Sequence, residues 1–159
     1  MANFTAPLLQ QTLTTAFKGA GSLWAFGVVH REMIYEIECG HTGPLASTDC
    51  QVQWDVSRFS VTASIVGTAV IPALADPADV SPTAQFLNGV TTEQAYTGAG
   101  AGAALKQWGI NQRGSYRWRA LDDGDNIIVA ATAGTGIGVR TLSTSFASSA
   151  VGSISFVER

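Results

Sequence analysis

The stretch from Asn111 to Ala131 constrains the fold more than any other part of this chain. Tyr116, Trp118 and Ala120 alternate with Ser115, Arg117 and Arg119, so an extended backbone sends the aromatics to one face and the guanidiniums to the other. Asp122 to Asn126 interrupts the alternation. Gly124, set among Asp and Asn residues, supplies positive φ at little cost, and the β-branched run Ile127, Ile128, Val129 offers a return strand. The segment therefore reads as a β-hairpin.

The same period of two recurs elsewhere. Leu23 to Val29 and Glu32 to Glu38 read as strands, the second with Met33, Tyr35 and Ile37 opposed to Glu32, Ile34, Glu36 and Glu38. Gln51 to Asp55 places Val52, Trp54 and Val56 on one face, and a further strand runs from about Phe59 to Ile71. Gln85 to Thr92, Lys106 to Ile110, Val139 to Leu142 and Ala150 to Val157 complete the set. Pro72 to Pro82 reads as a surface loop because proline cannot pair within a central sheet. The glycine-rich stretches Tyr96 to Ala104 and Thr132 to Gly138 read as connections. Short strands at this spacing without intervening helices predict an all-β fold, a jelly-roll-like antiparallel β-sandwich.

Residues 1–20 form a different unit, an N-terminal arm or short helix, ahead of a single β-sandwich domain over 21–159. Pro7 suits a first helical position, and Leu9, Leu13, Ala16 and Phe17 recur at helical spacing. The threonines Thr5, Thr12, Thr14 and Thr15 suit an extended arm equally well. In either form Phe4, Leu8, Leu9, Leu13 and Phe17 must be buried, on the domain's own core or on a neighbouring subunit.

Charged residues make up 13% of the chain, about half the usual fraction of about 25%. Seven of the nine basic residues are arginine, the cation enriched at interfaces where lysine is depleted. Both features favour a surface covered by neighbours. The net charge of −3 provides no footprint for phosphates, so direct nucleic-acid binding is not expected. No segment reads as a secretory signal, and no apolar run is long enough to span a bilayer.

Site chemistry is sparse. Cys39, His41 and Cys50 lack the paired spacing of a zinc site, and free thiols are favoured over a bridge. Asp122, Asp123 and Asp125 lack the loop of an EF-hand, so turn chemistry accounts for them and no metal or cofactor is expected. Gly98-Ala-Gly-Ala-Gly102 has no following Gly-Lys-Ser/Thr, and no Gly-x-Ser-x-Gly elbow occurs. Glu32, Glu36 and Glu38 share one strand face, whereas a glycosidase needs carboxylates facing across a cleft. Arg113, Arg117 and Arg119 are the partner-contact candidates, with cross-strand ion pairing as the competing reading. Trp24, Trp54 and Trp108 are the aromatics that would stack on sugars, although alternation puts most of them in the core.

The opening Met-Ala-Asn-Phe-Thr-Ala-Pro-Leu-Leu-Gln-Gln, the Asn111-Gln112-Arg113…Tyr116-Arg117-Trp118 block and the terminal Gly152-Ser153-Ile154-Ser155-Phe156 resemble small phage and prophage proteins of the virion. More broadly, the chain is similar to the jelly-roll cement or decoration proteins of tailed-bacteriophage heads. The resemblance covers the two ends and the central block. It implies a non-catalytic structural protein, made in the bacterial host cytoplasm and placed on the capsid surface. Its partners would be the major capsid protein and copies of itself, as dimer or trimer. The alternative is a carbohydrate- or receptor-binding β-sandwich module of a phage fibre.

Overall fold

A computed structural model describes residues 2–24, 30–44, 46–60, 66–90, 96, 104–143 and 148–159. These form twelve strands and no helix: β1 (Asn3–Thr12), β2 (Lys18–Trp24), β3 (Glu32–Thr42), β4 (Gln51–Ser60), β5 (Thr68–Val70), β6 (Ala73–Leu74), β7 (Gln85–Asn88), β8 (Lys106–Asn111), β9 (Tyr116–Arg119), β10 (Ile127–Val129), β11 (Thr135–Leu142) and β12 (Ser149–Glu158). One sheet runs β6-β1-β12-β3, with β9 and β10 both on the far side of β3; the other runs β5-β7-β2-β11-β4-β8. Every pairing is antiparallel.

The chain crosses between the sheets at most of its connections, staying within one sheet only from β4 to β5, β7 to β8 and β9 to β10. With β9 and β10 taken as one edge, β1-β12-β3-β9/β10 faces β2-β11-β4-β8, which is the strand order of a jelly roll. β6 and the β7-β5 pair are short additions at the opposite edges. The core is apolar and comes from both sheets: Phe4, Ala6, Leu8, Ile34, Ile37, Ile154 and Phe156 meet Leu23, Val52, Trp54, Val56, Ile137 and Val139. Phe4 stacks on Phe156 with ring centroids 5.3 Å apart.

Residues 2–20 form neither an arm nor a helix. β1 lies inside the first sheet, paired to β12 from Asn3 to Thr12, and its Phe4, Leu8 and Leu13 are buried in this chain's own core. A bulge explains the misleading spacing. Leu8 faces Gly152 and Gln11 faces Ala150, so Leu9 and Gln10 together oppose a single residue and the inward phase jumps from Leu8 to Gln11 and Leu13. Pro7 is tolerated because the odd residues of β1 turn their backbone toward β6, and β6 reaches only as far as Thr5. The N-terminal segment and the sandwich are thus one domain.

The central block is not a hairpin. β9 pairs with β3 from Glu36 to Cys39, and β10 pairs with β3 from Glu32 to Ile34. The two strands therefore run in the same direction, end to end along one edge. Residues 121–126 form an excursion out of that edge. Gly124 is not among the glycines with positive φ, and its N–H donates to Asp122 Oδ1 at 2.7 Å. Asp122 thus makes an Asx turn in place of a primed hairpin turn.

Thr132 to Gly138 is likewise more than a link, because β11 begins at Thr135 and is a central strand between β2 and β4. Its glycines make room for aromatics on the outer face of the second sheet. A Cβ on Gly136 would meet the Phe59 ring and lie 2.7 Å from both Leu23 O and Trp24 Cβ. Gly136→Ala is expected to cost about 1–3 kcal/mol by overpacking. Urea unfolding measures it, and an unchanged midpoint would mean that the ring yields freely. Residues 25–29, 61–65, 91–95 and 97–103, parts of strands and connections expected from the sequence, lie outside the described residues.

Candidate interaction surface

The outer face of the first sheet carries Arg117 and Arg119 together with Glu36 and Glu38. Glu36 faces Arg119 and Glu38 faces Arg117 across the β3–β9 ladder. Arg117 Nη2 lies 2.5 Å from Glu36 Oε2, Arg117 Nε 3.4 Å from Glu38 Oε1, and Arg119 Nε 3.9 Å from Glu36 Oε2. A hydrogen bond from Arg117 to Glu36, reinforced by their charges, raises the guanidinium pKa further. Arg113 pairs with Asp49 at 3.0 Å. All three arginines thus have an intramolecular partner. With their guanidiniums in solvent these pairs stabilise the fold little, and each can be exchanged for contacts with another molecule.

Glu32 does not join this face. Ser155 faces Glu36 while Phe156 faces Ile34, so Tyr35 is an extra residue that inverts the phase of β3. Glu32 and Ile34 point into the sandwich, and Glu32 is 1% exposed. Beside the ion pairs lies a shallow groove of about 280 Å³, lined by Glu38, Gly40, Ser115, Arg117 and Val151 among others.

The partner-contact residues expected near the N-terminus divide three ways. Phe4, Leu8 and Leu13 are core, which removes them from any interface. Leu9 is exposed, on the outward side of its bulge. Phe17 is half-buried beneath the Arg140 guanidinium, 4.9 Å from its ring centroid. Arg140 itself was not anticipated from the sequence. It lies 3.9 Å from the Tyr96 ring centroid and forms a two-pronged pair with Asp55, Nε–Oδ1 2.7 Å and Nη2–Oδ2 2.5 Å. The available signal was Asp55 itself, a carboxylate on an otherwise weakly charged strand.

Two of the tryptophans weighed for sugars, Trp24 and Trp54, are buried. Trp54 is fully buried, and Trp24 packs with Phe59, Leu87 and Val90. Trp108 sits 5.1 Å from Tyr116, and Lys106 lies over Trp118 at 5.4 Å, so these side chains close the side of the sandwich between β8 and β9. Cys39 and Cys50 are free thiols, and burial pushes the Cys39 pKa up and the His41 pKa down. His41 stacks on Trp54 at 6.2 Å. Asp123 pairs with Arg159 at 3.0 Å.

No family model matches this chain, and neither does any curated protein or solved structure. The surface must therefore be read from its own chemistry. Its most unusual feature lies in the loops, where Ile71, Val80 and Leu121 are 86%, 79% and 91% exposed. Ile71 lies between β5 and β6, Val80 in the loop after β6, and Leu121 in the excursion between β9 and β10.

Proposed function

We propose that this chain is a structural protein of a tailed-phage virion, a cement or decoration protein that binds the head shell built by the major capsid protein. The observation that carries the reading is that three large apolar side chains, Ile71, Val80 and Leu121, stand nearly bare on three separate loops of a jelly roll whose core is complete without them. The low charge of the chain and the resemblance of its ends and central block to small virion proteins support the same reading. Attachment then falls to these loops and to the exchangeable arginine pairs, since the first strand is committed to the core. Truncating residues 1–18 would remove a core strand, so it is no test of attachment.

The test is occupancy on purified heads of the phage or induced prophage that encodes the chain. The triple substitution Ile71→Ser, Val80→Ser, Leu121→Ser should leave the thermal midpoint nearly unchanged, because all three side chains already face water. Bound protein on pelleted heads should fall roughly tenfold or more, the loss of about 1.4 kcal/mol or more of apolar contact. Undiminished occupancy would exclude these loops, and failure of the native chain to bind heads would overturn the function itself.

A further inference from the structure

We infer that β8 is a self-pairing edge, through which two copies of this chain join about a two-fold axis at Gly109 into a continuous sheet. Open sheet edges invite pairing with other chains, and proteins usually blunt them. Among the described strands three edges are blunted. β5 has 3 residues and β6 has 2. The β9/β10 edge is broken by the 121–126 excursion, bears Arg117 and Arg119, and has its Ile128 carbonyl occupied by the Arg58 guanidinium.

β8 is different: 6 residues long, uninterrupted, and charged only at Lys106. Gln112 N–H donates to Cys50 O at 3.1 Å, one step beyond the Gln51–Asn111 pair, and this sets the phase of the ladder. The backbone groups of Lys106, Trp108 and Ile110 face β4, while those of Gln107 and Gly109 face away. Those of Asn111 also face away, but its carbonyl already accepts the Gly114 N–H at 2.8 Å, so the open part of the edge is centred on Gln107 and Gly109. Gln107 and Gly109 are exposed, and no described residue bonds to their outward backbone groups.

The occupant best matched to this edge is a second β8. An antiparallel pairing centred on Gly109 sets Gln107 against Asn111 of the second copy and Trp108 against its Ile110, an aromatic to β-branched pair of the favourable kind. The one charge, Lys106, falls opposite the second copy's Gln112, far from its own symmetry mate. Glycine at the axis lets the two backbones meet without a side-chain collision. The half-exposed strip of Leu105, Trp108, Tyr116 and Trp118 beside the edge would be covered in the same step. The pairing does not depend on the virion reading, since it needs only the free chain.

The test is sedimentation velocity on purified full-length protein without heads. The native chain should run at twice its 16.6 kDa mass. Gly109→Lys places two lysines against each other at the axis and should weaken the dimer by roughly tenfold or more. The new Cβ would lie 3.3 Å from Gln51 Oε1, the tip of an exposed, flexible side chain, so the monomer should keep its melting temperature. Gly109→Asp should weaken self-pairing likewise, and mixing the Lys and Asp variants should restore a dimer. A native monomer at the highest soluble concentration, a trimer, or a dimer indifferent to Gly109→Lys would each overturn the inference. Restoration in the mixture would also show that both variants fold.

Discussion

Replacing Asp55 by alanine is expected to cost about 3–5 kcal/mol of folding stability, because it breaks a two-pronged ion pair whose carboxylate is almost fully buried. For a chain of this size that corresponds to a fall in melting temperature of roughly 10 °C. The side chains of Asp55 and Arg140 are 3% and 20% exposed, so water can do little to compensate. The pair also ties elements together. Arg140 on β11 holds Asp55 on the neighbouring β4, while its planar face is covered by the rings of Phe17 and Tyr96. Ser57 adds a hydroxyl 3.3 Å from Asp55 Oδ1. The control is the double variant Asp55→Ala with Arg140→Leu, which removes both charges of the pair and supplies apolar contact to the two rings. It should recover much of the loss, since an ion pair replaced whole by apolar groups is often nearly neutral. Thermal and urea unfolding of the two variants decide the matter. A single substitution costing less than about 1 kcal/mol would mean that the pair behaves as an ordinary surface bridge.

The jelly roll was legible because its signal is redundant. Val52, Trp54 and Val56 all point inward, and the strand pattern survives errors in any one element. What the sequence hid has one recurrent physical cause, a change of phase. A bulge inverts inside and outside beyond it, and neither Leu9-Gln10 nor Tyr35 carries a residue type that announces one. Leu9 and Leu13, read as one helical stripe, part company, Leu9 facing solvent from β1 and Leu13, just past its end, facing the core; Glu32, read with Glu36 and Glu38, points the other way. The excursion at 121–126 misled for a second reason. Asp122 makes the same kind of side-chain turn whether the chain reverses or carries on, so turn residues mark an interruption without fixing the direction of the next strand. Of the candidate contacts, Arg117 and Arg119 were legible as a charged face because β9 contains no phase change. The exposed loop side chains at 71, 80 and 121 were not, since no periodicity governs a loop.

The inverted phase of β3 also predicts how stability should respond to pH. Glu32 is buried among apolar neighbours, its Oε2 has no hydrogen-bond partner among the described residues, and Glu158 lies opposite it on β12. Burial first, and the Glu158 charge in addition, raise its pKa from 4.5 to about 7, while a hydrogen bond from its own backbone opposes the shift. Below about pH 4.5 both folded and unfolded chains hold this proton, and folding is unaffected by it. Between 4.5 and about 7 the unfolded chain releases the proton and the folded chain keeps it, so stability falls as pH rises. Above about pH 7 the loss is complete, on the order of 3 kcal/mol at about 1.4 kcal/mol per unit. His41, its pKa lowered by burial, acts with the opposite sign, weakening the fold as pH drops. Glu32→Gln separates the two, since it keeps the shape and hydrogen-bonding capacity of the protonated acid and cannot ionise. The variant should gain on the native chain from pH 5 to about pH 7 in urea unfolding, and the difference should then level off. Parallel profiles for the two proteins would show that Glu32 finds solvent or a counter-charge when it ionises, and that the interior of the sandwich opens at that end.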